Sequence, residues 1–306
     1  QRRLSTWFDP DRRVDRDLLR QLSAAVLQMT SGPTPAIPNQ LQAQMVMAQV
    51  LFISYLEHRG IIGDEYRRAH DLGKFHELIK KRDAFAIDKL LIQLKSDFNG
   101  DFLRPREILW ARLDRRALDI IDRFLSRVDL ETGQRDFWNY DFSQIPVELL
   151  SGLYETFLQD KKKVDGAYYT PRVLAELAVE QAFEDIDDLS RLKVYDGACG
   201  SGILLTTAFR KIIAYQEYRL NRVLDIRERI ELLHSTIYGG DINRIACRVT
   251  AFSLYLCLLE RLTPSDLMRL QTDGECKLPH LINTNIAEGR VKGDFFSSRN
   301  QFAASG

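Results

Sequence analysis

Apolar residues recur at helical spacing from Asp17 to about Met29, through Leu18, Leu19, Leu22, Ala25 and Val26, and Ser31-Gly32-Pro33 ends the run. After the loop of residues 33–38, Asn39 is a good N-cap, and a second helix runs through Val50, Leu51, Ile53, Tyr55 and Leu56 to Gly60. Further helical patterns cover about Leu72–Lys81 and Ala84–Lys95. Another is expected from Pro105, a favoured first-turn residue, through Leu109, Leu113, Ala117, Ile120 and Phe124. No two-residue alternation of any length appears before residue 190, so the first half is expected to be all-helical. The chain has no internal repeat and no low-complexity run.

The pattern changes beyond Lys161-Lys-Lys163 and Asp165-Gly166, a polar break that makes 1–160 and 161–306 the expected domains. Leu192–Asp196 reads as a short strand ending in an acid, followed by Gly197-Ala-Cys-Gly-Ser-Gly202 and a helix opening at Ile203. Strand, glycine turn and helix form the first unit of a nucleotide-binding α/β fold, in which glycines let backbone N–H groups approach a ligand. A helical stretch from Ala208 to about Leu233 leads to a second strand, Thr236–Asp241, with a helix from about Arg244 to Leu262 behind it. A third strand is expected over Gly289–Asp294. Three strands would then each end in Asp (196, 241 and 294). Isolated acids there could be helix caps, but three in register suggest one pocket.

Composition narrows the class. The 306 residues, 45% apolar and 28% charged, suit a soluble globular protein with a real core. Basic and acidic residues number 43 each, and each half lies within one charge of neutrality, so the basic surface that would signal nucleic-acid binding is absent. Arg12, Arg13, Arg112, Arg115 and Arg116 are interleaved with acids, as on a solvated helix surface. Cys199, Cys247, Cys257 and Cys276 form no C-x-x-C pair and have no histidine at zinc-ligand spacing, so reduced thiols, no metal and a cytoplasmic location are expected. No signal peptide is visible, and Met45–Leu56 is too short to span a bilayer. Pro264-Ser-Asp266 with Glu275-Cys-Lys277 imitates a metal-dependent nuclease, a chance match of short motifs.

The ligand can be narrowed from the loop. Glycines 197, 200 and 202 stand in the order G-x-x-G-x-G, and Asp241 lies 39 residues beyond Gly202, a poor fit to a nicotinamide dinucleotide, which needs G-x-G-x-x-G and an acid about 20 residues on. No Gly-Lys-Ser/Thr is present, which excludes a Walker phosphate loop. The pattern suits a nucleoside without phosphates, carrying an amino group for Asp196 and a ribose for Asp241. S-adenosylmethionine is such a ligand.

Gly166-Ala-Tyr-Tyr-Thr-Pro171, Asp196–Gly202, Tyr238-Gly-Gly-Asp-Ile-Asn243 and Gly293-Asp-Phe295, in that order, closely resemble the γ-ordered N6-adenine DNA methyltransferases of restriction-modification and phage-defence systems. Residues 51–60 and 145–158 are similar to the helical domain that precedes catalysis there. The resemblance implies a helical N-terminal domain followed by the first half of a Rossmann-like S-adenosylmethionine-dependent methyltransferase domain. It implies that Tyr169, Thr170 and Pro171 wall the methionine part, with Thr170 on its carboxylate. It further implies that Asp196, Ala198, Gly200 and Gly202 hold the amino acid end. Asp241 would take the ribose hydroxyls and Ile242 the adenine ring, while Asp294 would accept from the exocyclic amine and Phe295 cover the base. Duplex DNA and specificity or restriction subunits are the implied partners.

Two departures matter. Position 197 is Gly where the family commonly has Pro, and the catalytic Asn/Asp-Pro-Pro-aromatic motif, expected soon after Phe296, does not occur. The chain, which starts at Gln1 rather than Met, is therefore expected to be a fragment, catalytically inactive by itself, with the strand near Val194 lacking a neighbour. The alternatives are a non-catalytic helical scaffold on a degenerate nucleotide-binding fold, and a methyltransferase acting on RNA or protein.

Overall fold

The first-half helices form, and their ends follow local chemistry. The computed structural model describes residues 14–98, 110–136, 140–144, 170–260, 278–297 and 302. The chain divides into two compact units, residues 1–93 with 104–145 and residues 94–103 with 146–306. The join read at 160–161, Arg12, Arg13, residues 145–169 and the nuclease-like stretch 264–277 lie outside the described residues.

In the first unit, α1 (Val14–Thr30) packs on α2 (Gln40–His58) and α6 (Arg115–Leu125). The short helices α3 (Asp64–Ala69) and α4 (Phe75–Lys81) follow α2, and α5 (Ala84–Phe98) begins in this unit. Asn39 caps α2, its side chain accepting from the Gln42 N–H at 3.2 Å. Helix α2 is buried almost all round, and Gln49 within it, which interrupts the apolar run, accepts from the indole N–H of the buried Trp110 at 2.7 Å. The helix expected from Pro105 begins only at Arg115. Residues 110–112 form a 3-10 turn, and Asp114, in extended backbone, accepts from the Arg116 N–H at 2.8 Å and so starts a new helix. Residues 105–109 lie outside the described set. Helix α4 likewise starts at Phe75 rather than near Leu72, where the Glu57 carboxylate of α2 accepts the Phe75 N–H at 2.9 Å.

A tight turn after α6, closed by a Val128–Arg135 antiparallel bridge, is held by charges. Arg127 pairs with Asp17 at 2.5 Å and Asp136 at 2.7 Å and lies 3.9 Å over the Tyr140 ring. The Tyr140 hydroxyl donates to Asp17 at 2.9 Å. Burial would raise the Asp17 carboxyl, but the bonds from Arg127, Tyr140 and Arg20 outweigh it and hold it below its ordinary value. A depressed carboxyl contributes stability that is present above about pH 4 and is lost as pH falls through the folded value. Arg127→Met is therefore expected to destabilise this unit by about 2 kcal/mol near neutrality, between the values for exposed and buried pairs, and to flatten its acid limb. Melting temperature followed from pH 7 to pH 2 checks both.

Among the described residues the second unit contains a three-stranded parallel sheet in the order β1 (Val194–Asp196), β2 (Ile237–Asp241), β3 (Ile286–Glu288). Asp196 stands opposite Gly239, and Asp241 opposite Glu288. Helix α7 (Arg172–Phe183) packs on α8 (Ile203–Leu220), which follows β1, and α10 (Arg244–Leu259) follows β2. The stretch read as one helix from Ala208 to Leu233 is two. Asn221 at φ +50° stops α8, and Asp225 and Glu228 form a reciprocal capping box that starts α9 (Ile226–Thr236). The third strand also differs from expectation. It occupies 286–288, upstream of the stretch read as strand, because Gly289 at φ +88° ends it and α11 (Gly289–Lys292) is a single helical turn. Asp294 therefore stands in the turn after α11 and not at a strand tip. Among the described residues β1 is an outer strand.

Candidate functional site

The loop between β1 and α8 has a shape that its sequence requires and its neighbours hold. Gly200 and Gly202 lie at φ +54° and +83°, in the left-handed region that favours glycine. At Gly202 a Cβ would also stand 2.9 Å from Cγ2 of Thr250. Thr250 and Ser253 of α10 donate to the carbonyls of Gly200 and Ser201 at 2.8 and 3.1 Å. The Cys199 N–H donates to the Gly240 carbonyl of β2 at 3.0 Å.

The carboxylates organise this edge. Asp241 accepts from the Gly200 N–H at 3.0 Å with one oxygen and from the Asn243 N–H at 2.8 Å with the other. Asp196 accepts from the Ala198 N–H at 3.0 Å, and Asp294 from the Phe296 N–H at 3.0 Å. Gly293 lets the turn carrying Asp294 settle on the sheet, since a Cβ there would meet the carbonyl oxygens of Asp241 and Ala287. Burial first, and then the like charge of Asp241, push the Asp196 carboxyl above its ordinary value. A cation placed beside Asp196 would relieve this upward push. Hydrogen bonding to Cys247 and burial raise the Cys199 thiol, which keeps it neutral and a poor nucleophile.

Asp196, Ala198, Asp241, Ile242, Asp294 and Phe295 line one cavity of about 780 Å³ at the carboxyl ends of β1 and β2, together with Gly197, Tyr195 and apolar residues of α7 and α8. Gly200 and Gly202 shape the loop behind it. Thr170 and Pro171 precede α7, with Pro171 at its N-cap, and do not line the cavity; Tyr169 lies outside the described residues. The residue pattern gave no sign of Thr250, Ser253 or Tyr195. Tyr195 stacks on Phe295 with ring centroids 6.1 Å apart, and Phe302 packs edge-on against Tyr195 and Tyr238.

Two other features carry less chemistry. A second cavity of about 470 Å³ is lined by charges already in pairs, among them Arg210–Glu260 and Arg229–Glu217. In the first unit, Ser126 and Asp122 both approach Nε2 of His76, at 3.3 and 3.0 Å, so the trio cannot relay a proton through the two ring nitrogens as a hydrolase does. Among the described residues, no group of three or more His, Cys, Asp or Glu could hold a metal ion, and no helix is long and apolar enough to cross a membrane.

Residues 147–261, which include β1, the glycine loop and β2, match the family model described as N-6 DNA Methylase. This stretch is similar to the N-6 DNA methylase family. A Methanocaldococcus jannaschii protein named as a type II restriction enzyme and methyltransferase is 22% identical, over 78% of this chain and 26% of its own length. The methylase subunit of the MjaIX type I restriction enzyme from the same organism is 27% identical, over 49% of this chain and 26% of its own. The adenine-specific methyltransferase BrxX of Escherichia coli O9:H4 is 37% identical, over 32% of this chain and 8% of its own. Among solved structures, a modification subunit of a type I restriction enzyme from Vibrio vulnificus is similar with a TM-score of 0.41 at 20% identity, covering 84% of this chain and 57% of that one. The chain thus spans about a quarter or less of the length of these curated relatives. The family resemblance read from the four motifs is borne out. The methylase match ends at residue 261, and the Gly293–Phe295 turn joins the site through its packing on β2 and β3.

Two consequences for the second unit can be measured without a ligand. Asp241→Ala is expected to release the Gly200 N–H, raising hydrogen exchange at that amide at least tenfold while amides of α8 away from the loop stay protected. Asp196→Asn keeps an acceptor for Ala198 but removes the buried charge. A raised carboxyl lowers stability as pH climbs from its unfolded toward its folded value, so the variant is expected to melt above the wild type near neutrality. The gap should close below about pH 4.

Proposed function

We propose that this chain is the cofactor-binding part of an N6-adenine DNA methyltransferase of a restriction-modification or phage-defence system, and that its ligand is S-adenosylmethionine. The observation that carries this reading is the joint placement of Asp196 and Asp241 at the ends of adjacent parallel strands, with the glycine loop tied to Asp241. Open α/β sheets bind ligands in the crevice outside the carboxyl ends of their strands. The residues fit the group: an upshifted carboxyl suits an ammonium, a strand-end acid suits a ribose diol, and half-exposed Ile242 and Phe295 offer apolar faces to a base.

When bound, S-adenosylmethionine supplies an electrophilic methyl group. Asp196 and the Ala198 N–H orient the amino acid end, Asp241 takes the ribose hydroxyls, and Asp294 accepts from the exocyclic amine. Ile242 and Phe295 exclude water from the base. The target adenine of duplex DNA is flipped and held by an Asn/Asp-Pro-Pro-aromatic motif that these 306 residues do not contain, so this chain binds cofactor without transferring methyl. Specificity or restriction subunits are the partners this reading implies, and the cytoplasm is the compartment.

Calorimetry tests this directly. Binding of S-adenosylmethionine is expected, with affinity about 10- to 100-fold weaker in Asp196→Asn, the range of a lost charge-assisted bond. A tritiated-methyl assay on adenine-containing duplex DNA should give no transfer. Binding of NADH in place of S-adenosylmethionine, or of neither, overturns the reading, and methylation by this chain alone overturns the assignment of the missing motif.

A further inference from the structure

Phe295 rests on Gly197. A Cβ built at Gly197 would lie 2.6 Å from Cδ2, 2.9 Å from Cγ and 3.0 Å from Cβ of Phe295, so the ring is in contact with the bare backbone of the glycine loop. Gly197 does not adopt a left-handed conformation, unlike Gly200 and Gly202. Its missing side chain therefore serves space and not backbone geometry. The same ring stacks on Tyr195 and meets Phe296 edge-on at 5.3 Å. It nevertheless remains 56% exposed, and Phe296 is 92% exposed. The turn beneath is better fixed. The Phe296 N–H donates to the Asp294 carboxylate, and the Ser297 N–H to the Asp294 carbonyl at 3.0 Å. A rotation of the Phe295 side chain would leave this turn in place. Gly197 and Ala198 are also where a ligand held by Asp196 must approach the backbone, and Phe295 lines that same cavity.

We propose that Phe295 is a gate whose closed position is made possible by Gly197: the ring covers the glycine loop, and ligand binding requires it to rotate away. This rests on the reading of the cavity as an S-adenosylmethionine site. A closed gate reduces apparent affinity by the fraction of protein that is open. A methyl group at position 197 removes the closed position and with it that reduction.

A double-mutant cycle tests the gate, with S-adenosylmethionine binding by calorimetry in the wild type, Gly197→Ala, Phe295→Ala and the double variant. Gly197→Ala is expected to tighten binding about threefold or more when Phe295 is present, and to leave it unchanged or weaker when Phe295 is alanine. Fluorine NMR on protein carrying fluorophenylalanine supplies a ligand-free readout. The resonance missing in Phe295→Ala should move in Gly197→Ala, and move in the same direction when S-adenosylmethionine is added to the wild type. An equal effect of Gly197→Ala in both backgrounds, or a resonance that does not move, overturns the gate while the cofactor reading stands. Absence of binding in the wild type overturns the cofactor reading, and the gate with it.

Discussion

One carboxylate organises the second unit. Asp241 ends β2, accepts the Gly200 N–H with one oxygen and the Asn243 N–H with the other, and so ties the glycine loop after β1 to the start of the helix after β2. A loop with two left-handed glycines has many alternatives in the unfolded chain, and fixing it costs more backbone entropy than fixing most sequences. Asp241 offsets that cost with a charge-assisted bond, and Thr250, Ser253 and the Gly240 carbonyl add three more. The residue that would take a ribose therefore also builds the loop that would take the amino acid end. Loss of ligand affinity on changing Asp241 would mix both effects, which is why Asp196→Asn is the cleaner probe of binding.

Burial sets up the complementary charge. Strand pairing holds Asp196 close to Asp241, and among the described residues the cavity lining contains no lysine or arginine to relieve either. The pocket is apolar apart from three acids and backbone amides, an arrangement that favours a cationic ligand without phosphates. The neutrality of the chain is compatible with this, since an acidic strand edge needs no basic surface around it.

Much of the α/β unit was legible in order and chemistry. The acids at 196 and 241, the glycine loop and the helices behind both strands follow from local pattern, because a strand that feeds a glycine turn and a helix leaves few alternatives. The errors lie where a capping side chain or a left-handed residue outweighed helical or strand periodicity. Asn221 with the Asp225–Glu228 box split one expected helix, Asp114 delayed another, and Gly289 moved the third strand upstream. These signals are short and local, and competing helix propensity around them masked their strength.

The sequence by itself determined the class of site: which acids and glycines, in what order, and hence the family to which the motifs belong. Only the tertiary structure decided how those residues work together. The dependence of the loop on Thr250 and Ser253, the seating of Gly293 on the Asp241 carbonyl and the contact of Phe295 with Gly197 join residues 50 to 98 positions apart. Such contacts leave no periodicity in the chain, because close approach depends on where two separate elements are carried by the sheet and not on the residues beside them.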